Sequence, residues 1–224
     1  MIFPIVLSIQ IAILATIINL PIALLISWLI VKKQIRGSAA LELLMTIPLA
    51  IPPTIIGFFV LVIFGINGPI GKITNDIFGF NIIFTWIAAT LVTAIISFPL
   101  MARAIIVSMS EVNPNLEKTA RGLGAGPIKV FFSITVPLSY RGILAGSLIC
   151  FVRALSEFGA TIIVAGNMPK KTQTISLAIY SAIQSGDEST AFSLSAVALG
   201  IAIVSLVVYN ILLKKDKRNL SKNE

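Results

Sequence analysis

Arg153 and Glu157 are opposite charges that lie within one apolar stretch of the sequence, four residues apart. At this spacing they share one face of a helix and can neutralise each other. Ionisable groups deep in an apolar segment are costly and face the protein interior. The pair is therefore either a structural ion pair that fixes helix packing or, together with the neighbouring Ser156, part of the wall or gate of a pathway.

The other residues that could do chemistry do not form an enzyme site. The acidic residues are scattered rather than clustered with a nucleophile, so no catalytic residue is expected. The chain has no histidine, and its lone Cys150 lies in an apolar run, which argues against metal sites and internal disulfides. We expect no metal and no cofactor.

Composition places the chain in a membrane. Hydrophobic residues make up 57% of the sequence and charged residues only 12%, which is more apolar surface than a soluble domain of 224 residues needs. The net charge is +8, but the basic residues lie beside the ends of apolar segments and do not form a patch interleaved with aromatic residues. Nucleic acid is therefore not an expected partner, whereas a lipid bilayer is.

Five apolar stretches reach the length of about 20 residues that a helix needs to cross a hydrocarbon core. The first is too long for the core of a signal peptide and lacks a basic leader, so we retain it as a mature helix. The sequence predicts an all-α membrane protein with five transmembrane helices, over residues 4–31, 41–65, 82–108, 141–165 and 190–213.

The positions of the basic residues predict the orientation, because cytoplasmic flanks carry the excess of Lys and Arg. Of the 17 Lys and Arg residues, Arg153 lies inside a span, and Lys72, Lys170 and Lys171 lie on one side of the membrane. All the others lie on the opposite side. The N-terminus is therefore predicted outside and the C-terminus in the cytoplasm, in agreement with an odd number of spans.

Adjacent prolines, Pro52 and Pro53, stand in the middle of the second predicted span. Each removes a backbone donor and bends or breaks the helix, which a bilayer tolerates only where protein or a wet cavity satisfies the freed carbonyls. Ordinary kinking in a packed bundle and the lining of a pathway both stay open. The double proline, followed by Thr54, favours the pathway, and Ser97 in the third span is a further candidate donor along it.

A GxxxG pattern in the fourth predicted span consists of Gly142 and Gly146. Such a pair allows two helix backbones to approach closely. We expect it to form a packing contact, either within one chain or between two subunits.

A polar, glycine-punctuated segment, residues 110–139, separates the third and fourth predicted spans. Asn113 can cap a helix that Pro114 opens, and Gly122 and Gly124 can stop it, which predicts a short helix of about ten residues. On the predicted orientation this segment lies in the cytoplasm.

An apolar ridge runs along one face of the short helix, because Leu116, Ala120 and Leu123 recur at i, i+4 and i+7. The rest of the helix bears Glu117, Lys118 and Arg121. A narrow ridge of this kind fits a groove on a cytoplasmic partner, and the alternative is a surface helix that lies on lipid headgroups.

The pattern of Glu117, Gly124-Ala125 and Pro137 resembles the EAA loop in the membrane subunits of type I ABC importers, with Lys118 and Thr119 where alanines are typical. In that family a short coupling helix sits in a cleft of the ATP-binding subunit and converts nucleotide-driven closure into movement of the transmembrane helices. The resemblance implies a role in ATPase coupling for Leu116, Glu117, Ala120, Leu123, Gly124, Ala125 and Pro137.

Four longer segments look, in order and spacing, like the molybdate permease branch of this family: residues 47–65, 97–105, 116–139 and 155–161. The resemblance implies a single type I transmembrane domain over residues 1–224 in the cytoplasmic membrane of a prokaryote. It also implies a homodimer, two cytoplasmic ABC ATPase subunits and an extracytoplasmic binding protein that delivers molybdate or tungstate. Sulfate and thiosulfate permeases share much of the pattern and are the alternative. An ion-coupled secondary transporter, the alternative of another class, is typically marked by an internal inverted repeat that is not evident here.

The energy for transport is expected from a separate polypeptide. The segment Gly65 to Lys72 is the nearest match to a phosphate-binding loop, but its glycine spacing is one residue too long and Ile73 stands where Ser or Thr belongs. The outer loops, residues 66–81 and 166–189, are expected either to receive a binding protein or to be plain connections.

Overall fold

The computed structural model describes residues 2–32 and 37–220, with side chains through residue 211. All regular structure in these ranges is helical, which confirms the predicted all-α class. The helices are α1 (Ile2–Val31), α2 (Ser38–Ala50), α3 (Pro53–Phe64), α4 (Pro69–Phe78), α5 (Trp86–Ser110), α6 (Pro114–Gly122), α7 (Pro127–Leu138), α8 (Tyr140–Leu155), α9 (Gly159–Ala165), α10 (Ile175–Gln184) and α11 (Glu188–Leu220).

Three of these helices are long and apolar enough to cross a membrane, namely α1, α5 and α11 through Ile211. Two bent pairs can each add one span: α2 and α3, which meet at 106°, and α7 and α8, which meet at 72°. The described part of the chain therefore holds up to five spans, in agreement with the predicted number. The direction in which they cross stays a prediction.

The break in the second predicted span follows from its prolines. Ile51 and Pro52 both have extended backbone angles, and each of them precedes a proline. A proline disfavours the helical conformation of the residue before it, so two in succession open the chain between α2 and α3. Pro21, Pro48 and Pro99, which stand alone, remain inside their helices.

The fourth predicted span, residues 141–165, is not one continuous helix. Helix α8 ends at Leu155, and α9 begins only at Gly159. The carboxylate of Glu157 accepts a hydrogen bond from the amide of Ala160 at 2.9 Å, which satisfies a donor at the start of the new helix. Residues 141–165 are apolar on average despite the charges of Arg153 and Glu157, so the sequence predicted a single span.

Helix α5 is the centre of the bundle and packs against both α1 and α8. The GxxxG glycines of α8 face it. A Cβ atom on Gly142 would lie 2.1 Å from the Cβ of Ser108, and one on Gly146 would lie 3.0 Å from the carbonyl oxygen of Met101. The GxxxG pattern therefore forms a contact within the chain, where glycine lets the two backbones approach.

The predicted outer loops carry short helices, α4 in the first and α10 in the second. Asp187 closes the second loop, directly before α11. Hydrogen bonds from the hydroxyl and the amide of Thr190, and from the hydroxyl of Ser189, hold the pKa of Asp187 below its ordinary value of 3.8. The carboxylate thus stabilises the first turn of α11.

Candidate coupling surface and paired helix breaks

The predicted short helix is present as α6, which has nine residues. The side chain of Asn113 caps it by accepting a hydrogen bond from the amide of Asn115 at 2.9 Å. Gly124 follows the helix with φ of +88°, a left-handed conformation that glycine adopts without strain. The amide of Ala125 then bonds the carbonyl of Ala120 at 3.0 Å and closes the helix end.

The apolar ridge of α6 faces outward. Leu123 is 85% exposed and Leu116 48%, while Ala120 between them is half-buried. A side chain at Gly124 would enter open space. The ridge, with Ala120 at its middle, is thus open to a partner.

Glu117, by contrast, points into the protein and is only 7% exposed. The sequence grouped it with Lys118 and Arg121, but the structure separates them, because both of those side chains are exposed. A carboxylate oxygen of Glu117 lies 3.3 Å from the Nζ atom of Lys32 and accepts a hydrogen bond from Thr135 at 2.7 Å. Helix α6 therefore turns Glu117 inward, while its leucines and its other charged side chains are exposed.

Pro137 lies exposed at the end of α7, directly before the 72° bend into α8. The turn before it, Phe131–Thr135, is π-helical. A proline has no amide to donate to the preceding turn, and π-helical turns are often found at functional positions in helices. Sequence reasoning did not foresee this wider turn.

The two helix breaks lie against each other. Gly159, at the start of α9, would place a Cβ atom 3.4 Å from the methyl carbon of Thr54 and 3.8 Å from the Cβ of Pro53. One turn further along α3, Gly57 would place its Cβ 3.0 Å from the backbone of Ala160. Small residues thus let the start of α3 pack closely on the start of α9. The structure brings together the breaks that contain the predicted pathway residues.

Glu157 bridges the two sides of the α8–α9 break through both of its oxygens. One oxygen accepts the Ala160 amide, and the other lies 2.9 Å from Nη1 of Arg153. The predicted ion pair is present. Arg153 and Ser156 also line a cavity of about 250 Å³ between α8 and α11, to which Ser205 and Tyr209 contribute further polar groups.

Ser97, predicted on the pathway, lies elsewhere, in a fully buried polar cluster between α1, α5 and α8. Its hydroxyl donates to the carbonyl of Thr93 at 2.8 Å and receives hydrogen bonds from Asn19 and Cys150, both at 3.3 Å. Asn19 also donates to the carbonyl of Ala94 at 2.9 Å. Asn19 was not among the predicted site residues, although an amide in a long apolar helix signals a buried hydrogen bond.

The sequence profile of a known protein family, described as "Binding-protein-dependent transport system inner membrane component", matches residues 19–218. The chain belongs to this family. The matched range includes α6 and both helix breaks. As an inner membrane component of a transport system, the chain is a multi-pass membrane protein.

Several members of the inner membrane component family are similar over most of the chain. The molybdenum transport system permease protein ModB of Escherichia coli K12 is 41% identical over 203 residues, covering 90% of this chain and 89% of that protein. ModB of Haemophilus influenzae is 40% identical over 215 residues, covering 96% and 94%. The sulfate transport system permease protein CysT of Salmonella typhimurium is more distant, with 30% identity over 93% of this chain and 75% of that protein.

The fold also matches a solved transporter. The crystal structure of a bacterial alginate ABC transporter, in complex with an alginate pentasaccharide-bound periplasmic protein, aligns with a TM-score of 0.71 and 18% identity. The alignment covers 97% of this chain and 78% of that chain. This agreement confirms the predicted fold of a type I ABC importer permease.

Proposed function

We propose that the chain is the membrane-spanning permease subunit of a binding-protein-dependent ABC importer that moves molybdate or tungstate across the cytoplasmic membrane of a prokaryote. Identity of about 40% to molybdenum permeases over nearly the whole chain supports this substrate class. The sulfate permease CysT is more distant, so the molybdate assignment is favoured.

The observation that carries the coupling role is the exposed apolar ridge of α6. Leu116 and Leu123 are open to solvent, while Glu117 alone among the residues of this short helix is buried. Exposed apolar ridges of this kind fit hydrophobic grooves on protein partners. The partner is a cytoplasmic ATPase, two copies of which serve one importer, and the permease supplies no ATP site of its own.

Movement of α6 is transmitted to the helix breaks through one continuous segment of the chain. Its C-terminal end leads through Gly124 to α7, and α7 turns by 72° into α8. Helix α8 ends at the break that holds Ser156 and Glu157. Because packed helices move as rigid elements, closure of the ATPase around nucleotide displaces α7 and α8 and thereby changes the contact between the two breaks.

The helix breaks also offer what an oxyanion needs. Thr54 presents a hydroxyl donor at the breaks, and Arg153 balances the negative charge of Glu157, whose other oxygen accepts the Ala160 amide, so that no uncompensated carboxylate repels the anion. Pro52, Thr54 and Ser156 are all exposed on a single chain. A second copy of the permease completes the route, so the working unit is a homodimer.

The outer side receives an extracytoplasmic binding protein, which selects the anion and releases it toward the breaks. Helices α4 and α10 of the outer loops give this protein structured surfaces to contact. Charge counting supports this arrangement, since it places Lys72, Lys170 and Lys171 on the outer side.

Reconstitution in proteoliposomes tests the function. The permease, its ATPase and its binding protein are expected to take up molybdate only with ATP, and uptake should survive a protonophore. Tungstate should compete strongly and sulfate weakly. Strong competition by sulfate would favour a sulfate permease instead. Uptake driven by an ion gradient in the absence of the ATPase would point to a secondary transporter.

A further inference from the structure

The junction between α6 and the rest of the permease depends on one buried side chain. Among the nine residues of α6, Glu117 alone is buried. Its neighbours on the helix are exposed or half-buried, and the ridge residues face away from the protein. The Glu117 carboxylate is therefore the buried polar contact between α6 and the body of the permease.

Three parts of the chain meet at that carboxylate. Lys32, at the end of α1, lies 3.3 Å from the Oε1 atom of Glu117, and its Nζ atom also donates to the carbonyl of Val112 at 3.2 Å. Thr135, in the π-helical turn of α7, donates to the same Oε1 atom. The side chains of Lys32 and Glu117 are only 8% and 9% exposed, so solvent screens their attraction weakly.

We propose that Lys32 is a positioning residue for energy coupling, forming with Glu117 and Thr135 a polar latch that makes α6, α1 and the π-helical turn move together. This inference rests on the proposed function and assigns residues to one step of it. Lys32 acts through Glu117 and touches neither the transported anion nor ATP.

A buried ion pair is a poor device for stability alone. Removing its charges from water costs about as much as their attraction returns, and apolar residues of similar volume are often as stable. What such a pair does supply is a fixed geometry, because its bonds are satisfied in only one arrangement of the helices. Here that arrangement sets the position of α6 relative to α1 and to the deformable turn of α7.

The experiment separates coupling from stability. In the reconstituted importer, the single variants Lys32→Met and Glu117→Met each leave one buried charge unpaired, so they should lower the unfolding temperature. The double variant K32M/E117M replaces the ion pair by an apolar contact and should recover most of the lost unfolding temperature. We expect it still to transport about fivefold less anion per ATP hydrolysed, the size of effect typical of a lost coupling contact. Lys129→Met, which removes an exposed charge from α7, is the matched control.

If the double variant regains both the wild-type unfolding temperature and the wild-type transport ratio, meaning the anions transported per ATP hydrolysed, the ion pair is structural and the proposed latch is wrong. Should the double variant fail to assemble, Thr135 provides a milder test. Thr135→Val should lower the transport ratio and Thr135→Ser should keep it, whereas equal ratios would overturn the proposal. Failure of the proposed function itself would show differently, as absence of ATP-dependent uptake in the wild-type importer.

Discussion

Glu157 shows how one side chain can hold two structural features at once. It pairs with Arg153 on α8 and accepts the amide of Ala160 on α9. Exchanging the two charged residues therefore does not restore the wild-type contacts, because an arginine at position 157 cannot accept a hydrogen bond. A charge swap alone cannot distinguish a structural pair from a pathway pair here.

Substitutions at Glu157 can separate the two contacts. Glu157→Gln keeps an oxygen for the Ala160 amide and loses the ion pair, whereas Glu157→Leu loses both. We expect the leucine variant to unfold at the lower temperature, since it alone also leaves the Ala160 amide without an acceptor, a cost of roughly 1–3 kcal/mol for a buried donor. Thermal unfolding in detergent measures this. An equal midpoint for the two variants would show that the Ala160 bond contributes nothing.

The stability of the first turn of α11 depends on pH through Asp187. Its pKa in the folded protein lies below the ordinary value of 3.8, so its hydrogen bonds contribute fully at neutral pH. That contribution is lost as the pH falls below 3.8 and through the lower folded value. Wild type and Asp187→Asn should therefore differ in unfolding temperature at pH 7 and converge in strong acid. A difference that persists unchanged at low pH would contradict this assignment.

Helix α6 is the element whose surface can be tested apart from membrane insertion. Replacing Leu116 and Leu123 by aspartate should uncouple transport while the permease remains inserted, because charges on the ridge cannot enter an apolar groove. We expect uptake to fall by at least about tenfold, corresponding to a loss of about 1.4 kcal/mol of docking free energy. Co-purification of the ATPase and uptake in vesicles are the measurements.

The exposed ends of other helices provide the control for the ridge variants. Ile77→Asp changes an exposed residue of α4, which lies in an outer loop of the predicted topology. It should leave ATPase co-purification unchanged. Normal uptake and normal co-purification in the ridge variants would defeat the coupling assignment.

The contact between the two breaks belongs to the whole molecule, because movement there requires α3 and α9 to separate. Cysteines replacing Thr54 and Gly159 would face each other across this contact. Crosslinking them should stop uptake, and reduction should restore it. The native Cys150 is fully buried and forms a suitable background. Undiminished uptake in the crosslinked protein would show that the breaks do not part during transport.

The sequence was informative where local rules decide the outcome. Capping by Asn113, the left-handed stop at Gly124 and the effect of two adjacent prolines depend on neighbouring residues, and the structure contains all three. The five apolar stretches likewise agree with the upper number of spans that the described helices allow. Helix class, the short helix and the second-span break could therefore be predicted.

Other features depend on partners that are distant in the chain. Lys32 holds Glu117 in its inward position, and Asn19 bonds the buried Ser97. No local sequence pattern links the two residues of either pair. The end of α8 was missed for a different reason. Residues 141–165 are apolar on average despite Arg153 and Glu157, and the new helix start depends on a side-chain bond that hydropathy does not register.

The exposed leucines of α6 also affect how long an unassembled subunit survives in the cell. If α6 lies in the cytosol as the topology predicts, a permease made without its ATPase exposes Leu123 there. Chaperones and proteases act on exposed apolar segments of this kind, so orphan subunits are expected to be degraded and the cell gains from synthesising both polypeptides in matched amounts.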